Sequence, residues 1–576
     1  TVEFDEPTVD AGGILGEDGG EETDTDGGVA GLLEPAGAAE LVDGGGQRVG
    51  LRIPVVIFEP GLTGNFGARG EGGRDGKAGD DWLEGGAGFD TTAGDNSELN
   101  FDSKIIGHDV MFANSEEHDH DGESGDDIMV DGESVVRSEG MMGFDWVIHK
   151  GVQTPANVDM GIPIFTTEQA DILRDRYDKV EALSGWKFND VLIGDDRTYD
   201  PNANLAGNVE AGAGALFFRD ELDLEGRARI AGLDQVITND LMFSGVYGSD
   251  WSNATKLIFS GGNVLLGGGG SDLIAGKGGN DIIDGDRWLN VRIRITLPGA
   301  ADTAANEIAT VDSLQHVFVA GSAPAAWVGK SLFQLMIDRV IVPNQLHIVR
   351  EVLNGNQTGD VDTAMFWDVR ANYTITRAAD GTITVRHDTV GAVVPILPNT
   401  TFKAISDGTD TLRNIEVLRF GDGAGGTVDF SIGQLFPFVA TGSAIISDTT
   451  PTEGQTITVD TSTIADLNGL GPFSFQLQRS NNGTTWTNVG GLQNSNTFVL
   501  PDAAGTGLSV IADQFLRVRV VFTDGRGDSE VIDSAATARV GANYNASAVT
   551  NNNGVTFNGT RGDNIIVGSN FGDTLG

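Results

Sequence analysis

The stretch IFSGGNVLL-GGGGSDLIA-GKGGNDIID-G, residues 258–285, can be cut every nine residues without losing register. Position six of the three nonapeptides carries Asn263, Asp272 and Asp281, and position eight carries Leu265, Ile274 and Ile283. A flexible glycine linker has no reason to place aliphatic residues at a fixed spacing. The spacing predicts a repeated turn and strand instead. In the six-residue turn, glycines such as Gly267, Gly268, Gly270, Gly276, Gly278, Gly279 and Gly285 let carbonyls face inward. The next three residues form a short strand whose middle side chain points to a core. Two nonapeptides complete one coil, so residues eighteen apart stack on one edge and Asn263 lies over Asp281.

Stacked carboxylates repel one another, and a thin aliphatic core does not offset the backbone entropy of ordering the coil. A cation resolves both difficulties. Ca²⁺ takes carboxylate and backbone oxygens together, so an ion between coils can draw ligands from both, and folding is expected to depend on it.

The register returns in weaker form elsewhere. GKAGDDWLE and GGAGFDTTA, residues 76–93, place Asp81 and Asp90 at position six, with Gly76, Gly79, Gly85 and Gly88 in the turns. Asp109, Asp127 and Asp145 follow at steps of eighteen, with Gly122 in an intervening turn and Met111, Met129 and Val147 at the core-facing position. The opposite edge carries His118 and Val136 at the equivalent places, which predicts ligands along one side only. GWKFNDVLIGDD adds Asp190 with core Leu192, and GTRGDNIIV-GSNFGDTLG at the end adds Asn564 and Asp573.

Composition bounds the partners. A net charge of −48, with 84 acidic against 36 basic residues, argues against nucleic acid and anionic membranes and in favour of cations. There is no cysteine, so disulfides and cysteine-ligated metals are excluded, and stability outside the cell has to come from packing or bound ions. No run of ~18 apolar residues is present to span a bilayer, and residues 1–5 lack the basic region and apolar core of a signal peptide. The absence of an initiator Met, and a last residue, Gly576, that falls inside a repeat, suggest a segment of a longer polypeptide.

The chain is expected to be mainly β, in five parts. Residues 1–60 read as an acidic glycine-rich linker ending in a strand over 51–58, and residues 61–290 as a calcium-binding parallel β-roll with helical insertions over 166–183 and 217–237. Residues 291–435 read as an α+β or mostly β capping domain with a helix over 330–340 and a hairpin across Asp380 and Gly381. Residues 436–545 have the short strands of an Ig-like β-sandwich with Trp486 as its core aromatic, and residues 546–576 begin another roll.

LSGWKFNDVLIGDD, LFFRDELDLEGRARIAGLDQVI, NDIIDGDRWLNVRI and DGTDTLRNIEVLRFGDG together resemble the region after the peroxidase domain in large bacterial RTX proteins of the animal-haem-peroxidase (peroxinectin-like) group. The resemblance covers roughly residues 60–430. It implies hemolysin-type calcium repeats, export by a type I secretion system with an uncleaved C-terminal signal, and an extracellular or cell-surface location. The haem domain of that group is helical, with a distal His and Arg and a proximal His; no long helical segment is present here, so its catalytic residues are not carried over.

No Ser-His-Asp order, H-E-x-x-H motif or phosphate-binding loop stands out, and the chain is not expected to be an enzyme. EEHDHDGE, residues 116–123, offers His118 and His120 to a transition metal, against the plainer reading of a solvated acidic loop. The acidic turns at Asp448 and Asp524 have the same two readings. The expected function is a secreted calcium-binding structural or adhesive module, with self-assembly, surface proteins or glycans as partners. The alternative is a non-catalytic accessory region of a secreted haem-peroxidase-like enzyme.

Overall fold

The computed structural model describes residues 72–75, 79–85, 90–95, 106–113, 118–166, 171, 173–199, 219–250, 252, 254–355, 359–392, 396, 405–503, 507–550 and 554–576. The acidic segment 1–60, Gly76 and Gly88 lie outside them. The chain is mainly β. Among the described residues no helix is long and apolar enough to cross a membrane.

One sheet stacks the parallel strands Trp82–Glu84, Val110–Phe112, Ile128–Val130, Trp146–Ile148, Ala182–Ser184, Val264–Leu266 and Ile282–Asp284, and continues into Thr409–Arg413. A second runs through Asn157–Asp159, Val191–Ile193, Leu273–Ala275, Thr363–Val369 and Val417–Gly421. A third holds Gly72–Asp75, Asp90–Ala93, His118–Asp121, Val136–Glu139 and Arg176–Asp178. Uninterrupted coils pair residues eighteen apart, as in Ile128 with Trp146 and Val264 with Ile282. Insertions interrupt the sequence without disturbing the register: Ser184 pairs with Leu266, Ile274 with Ala364, and Ile283 with Leu412. The pairings therefore run across the boundary expected at residue 290.

The middle residue of each short strand faces inward. Met111, Met129, Val147, Leu183, Leu265, Ile283 and Leu412 meet Val158, Leu192, Ile274, Ala364 and Leu418 in one core. The flanking residues Trp82, Val110, Ile128, Trp146, Val264 and Ile282 are buried as well, in a second core that they share with inserted segments. The strand Arg287–Thr296, antiparallel to Glu307–Val311 and Leu346–Asn354, contributes Leu289, Val291, Ile293 and Ile295. A strand covered on both faces is apolar at every position, which is why Trp146–Ile148 reads WVI.

The helix expected within 217–237 is Leu224–Arg229, capped by the Asp223 carboxylate, which accepts from the Glu225 and Gly226 N–H groups at 2.9 Å. The helix expected over 330–340 is Leu332–Ile337, capped by Ser331. The described part of 166–183 corrects its expectation: it forms the strands Arg176–Asp178 and Ala182–Ser184. Tyr177, Val180 and Leu183 fall three apart and imitate a helical stripe, but Lys179 takes φ 51° and turns the chain between the strands.

Tyr373–Arg377 and Ile383–His387 form the expected hairpin. From residue 445, Ile445–Ile446, Thr456–Asp460 and Thr497–Val499 make one antiparallel sheet, and Thr487–Asn488, Ser474–Ser480, Phe515–Thr523 and Ser529–Asp533 make another. Their shared core uses Phe475, Phe498 and Phe522. Trp486 is not part of it: this side chain is half-buried with the Arg517 guanidinium 4.5 Å from its ring, because it ends a polar turn outside the sheet interior.

Candidate metal centre

The position-six side chains form a ladder along one edge, interrupted between Glu181 and Asn263. The Asp81 N–H donates to Asp109 Oδ1 at 2.6 Å, Asp109 N–H to Asp127 Oδ1 at 2.6 Å, Asp127 N–H to Asp145 Oδ1 at 2.8 Å, and Asp145 N–H to Glu181 Oε2 at 2.7 Å. Further along, Asn263 N–H donates to Asp281 Oδ1 at 2.7 Å and Asp281 N–H to Asp410 Oδ1 at 2.9 Å. A second edge repeats the arrangement: Ala156 to Asp190 at 2.7 Å, Asp190 to Asp272 at 2.7 Å, Asp272 to Asp362 at 2.8 Å, and Asp362 to Glu416 at 2.9 Å.

Each carboxylate thus gives one oxygen to the backbone of the neighbouring coil. The other oxygen, Oδ2 of Asp109, Asp127, Asp145, Asp272 and Asp281, is buried with no hydrogen-bond partner among the described residues. Buried polar atoms are rarely left so, and five in equivalent places require a common cause. Those of Asp127, Asp272 and Asp281 each lie beside the glycine that opens their own turn. A Cβ on Gly122 would sit 2.9 Å from Asp127 Oδ2 and 2.7 Å from the Gly140 carbonyl oxygen. A Cβ on Gly267 would meet Asp272 Oδ2 and lie 2.6 Å from the Gly285 carbonyl, and one on Gly276 would meet Asp281 Oδ2. Carboxylate and carbonyl oxygens from two coils therefore converge on a place kept open by the missing side chain. An all-oxygen set of this kind fits a hard cation such as Ca²⁺.

Burial, followed by the neighbouring carboxylates, raises the Asp109, Asp145 and Asp410 carboxyls well above the usual range; Asp127 and Asp281 are raised as well, chiefly by burial. Burial lifts Asp272 to about 8, Asp362 to about 7 and Asp190 to about 6. A carboxyl raised in the folded state stabilises the fold only while it keeps its proton. The cation-free coil is therefore most stable in acid, and that stability is lost as pH rises past the unfolded value near 3.8 towards about 8 for Asp272. With a chelator present, the strand signal in circular dichroism is expected to be larger at pH 4 than at pH 8; equal signals would contradict this.

Other expected ligands take varied places. Asp90 is buried and in register with His118, Gly79 has φ 107°, and the Gly85 N–H donates to the Phe112 carbonyl at 3.3 Å. Gly268, Gly270 and Gly279 take positive φ, Gly278 packs against Ile405, and a Cβ on Gly285 would meet Asp362 Oδ2. Asn263 differs from its neighbours, since its Oδ1 accepts the Asp195 N–H at 2.9 Å. There the Arg197 guanidinium, bonded to Glu181 and Asp195, supplies the positive charge. Asp573 repeats the ladder bond, from the Val555 N–H at 2.8 Å, but is only half-buried.

Glu181, Asp362, Asp410 and Glu416 are ladder members that the nonapeptide search missed. The signal was present as an acidic residue two before a core aliphatic or alanine: Glu181 with Leu183, Asp362 with Ala364, Asp410 with Leu412, Glu416 with Leu418. The segment with His118 and His120 is a strand, His118–Asp121, rather than a loop, and the His120 ring is buried against the Thr92 hydroxyl at 2.6 Å from Nδ1. Asp448 receives Thr450 and Gln455, whereas Asp524 stands with Asp466 and Glu530 within 4.8 Å.

No family model, curated protein or solved structure matches the chain.

Proposed function

We propose that this chain is a calcium-binding module of a secreted surface or matrix protein, whose parallel coil is an RTX-type β-roll that folds on Ca²⁺ outside the cell. The observation that carries the reading is the repeated buried Oδ2 of Asp109, Asp127, Asp145, Asp272 and Asp281, in several turns set against glycine carbonyls of the next coil. A cation-poor compartment would leave these carboxylates repelling one another, whereas millimolar extracellular calcium suits weak, numerous all-oxygen sites. The role is structural and adhesive: the coil and the Ig-like sandwich present an acidic surface to other surface proteins, glycans or further copies, and catalysis belongs elsewhere.

Calcium titration by calorimetry tests the reading. Asp272→Ala combined with Asp281→Ala is expected to lower the number of calcium ions bound and to slow calcium-triggered refolding. An unchanged number bound, with unchanged refolding, would remove the support.

A further inference from the structure

The turn after Ile128–Val130 opens with Asp131, and the turn after Trp146–Ile148 opens with His149. Both stand where the later coils place Gly185, Gly267 and Gly285, since the strands before them pair in one register. The backbone is the same at all these places. Asp131 N–H donates to the Ile148 carbonyl at 3.0 Å, His149 to Ser184 at 2.9 Å, Gly185 to Leu266 at 2.8 Å and Gly267 to Asp284 at 2.9 Å. Only the side chains differ. Five residues after Asp131, position six is Val136, which brings no carboxylate. The acid comes from the adjoining coil instead: Asp175 Oδ1 accepts the Val136 N–H at 2.9 Å, the ladder bond seen elsewhere.

Here, then, the glycine and aspartate of the oxygen-only pattern are both replaced. In their stead, one ligand atom each from Asp131, His149 and Asp175 lies within 4.8 Å of the others. His149 is 5% exposed, and neither of its ring nitrogens has a hydrogen-bond partner among the described residues. Its Nε2 is 3.7 Å from Asp131 Oδ2. The Tyr177 hydroxyl donates to Asp131 Oδ2 at 3.2 Å and the Ser138 hydroxyl to Asp131 Oδ1 at 3.4 Å, which holds that carboxylate in place.

We propose that Asp131, His149 and Asp175 form a transition-metal site, taking Zn²⁺ or a similar divalent ion, set into the coil where the all-oxygen pattern lapses. A buried imidazole with both nitrogens unsatisfied is costly, and coordination through one of them relieves the cost at that nitrogen. Burial lowers the His149 pKa to about 4, so the ring is neutral and a competent donor at pH 7. One imidazole with two carboxylates suits Zn²⁺ or Mn²⁺ rather than Ca²⁺, which seldom recruits nitrogen. Asp131 also lines a cavity of about 440 Å³ beside Glu84, Glu133, Lys150 and Asp312. The site stands on these three side chains and not on the calcium reading.

The test uses the full chain folded in excess Ca²⁺ and titrated with Co²⁺, whose visible ligand-field absorption reports nitrogen coordination. The expected result is saturation at about one equivalent, reversed by Zn²⁺ and not by more Ca²⁺. His149→Gln and Asp175→Asn are each expected to weaken Co²⁺ by roughly tenfold or more, with unchanged calcium-dependent circular dichroism. If His149→Gln fails to fold, the isosteric Asp131→Asn decides the matter. Co²⁺ uptake that excess Ca²⁺ abolishes, or that the folded variants retain at full affinity, overturns the proposal.

Discussion

Chelating calcium at pH 7 is expected to unfold the parallel coil while leaving the antiparallel sandwich after residue 445 folded. The coil buries Asp109, Asp127, Asp145, Asp281 and Asp410 in a stack whose ladder neighbours are other acids, Asn263 beside Asp281 excepted. At pH 7 the unfolded chain ionises Asp272 freely, whereas the cation-free fold lifts it to about 8 and must hold it protonated, at a cost on the order of 4 kcal/mol. Several such terms exceed the net stability of an ordinary domain, about 5–15 kcal/mol. Among its described residues the sandwich has no comparable ladder: its core is Ile457, Val459, Leu477, Val518 and Val520 with phenylalanines. Hydrogen exchange read by mass spectrometry separates the two regions. Protection at Ile128–Val130 and Val264–Leu266 should vanish with chelator, while Phe515–Thr523 keeps its protection. Unchanged protection of the coil strands would refute the dependence on a cation.

The coil was legible in the sequence to the extent that its chemistry is local. Asp272 and Asp281 announce themselves because glycine, acid and aliphatic recur within nine residues, and Asp109, Asp127 and Asp145 because eighteen residues make one turn. What escaped was long-range. Ile283 finds its neighbour Leu412 only after an insertion, and no periodicity survives such a gap, so Asp410 and Glu416 looked like parts of another unit. The covering strand Arg287–Thr296 was equally hidden, although the apolar outer residues of Trp146–Ile148 were its trace. Asp131 and His149 escaped for the opposite reason: they break the repeat, and a pattern search discards the places where a regular fold departs from its own rule. Tyr177, Val180 and Leu183 show how short strands joined by a tight turn reproduce helical spacing.

Gly143→Ala is expected to destabilise the calcium-loaded coil by about 3 kcal/mol or more, whereas Gly151→Ala should cost only about 1 kcal/mol. Both glycines have positive φ, 142° and 97°, so both substitutions meet backbone strain. They differ in surroundings. A Cβ on Gly143 runs into the carbonyl of Gly125, eighteen residues earlier, and a Cβ on Gly125 would in turn strike the Gly107 carbonyl. Nothing lies within 4 Å of a Cβ on Gly151. Alanine at Gly143 must push two coils apart, which strains the ladder bond from Asp127 N–H to Asp145 Oδ1 and loosens Met129 against Val147. It therefore attacks the inter-coil spacing on which the oxygen cradles depend. Urea midpoints measured in excess calcium give the two costs, and a calcium titration of Gly143→Ala should show weaker binding although no ligand has been removed. Equal midpoints for the two variants would mean that the coils do not pack at this distance in solution.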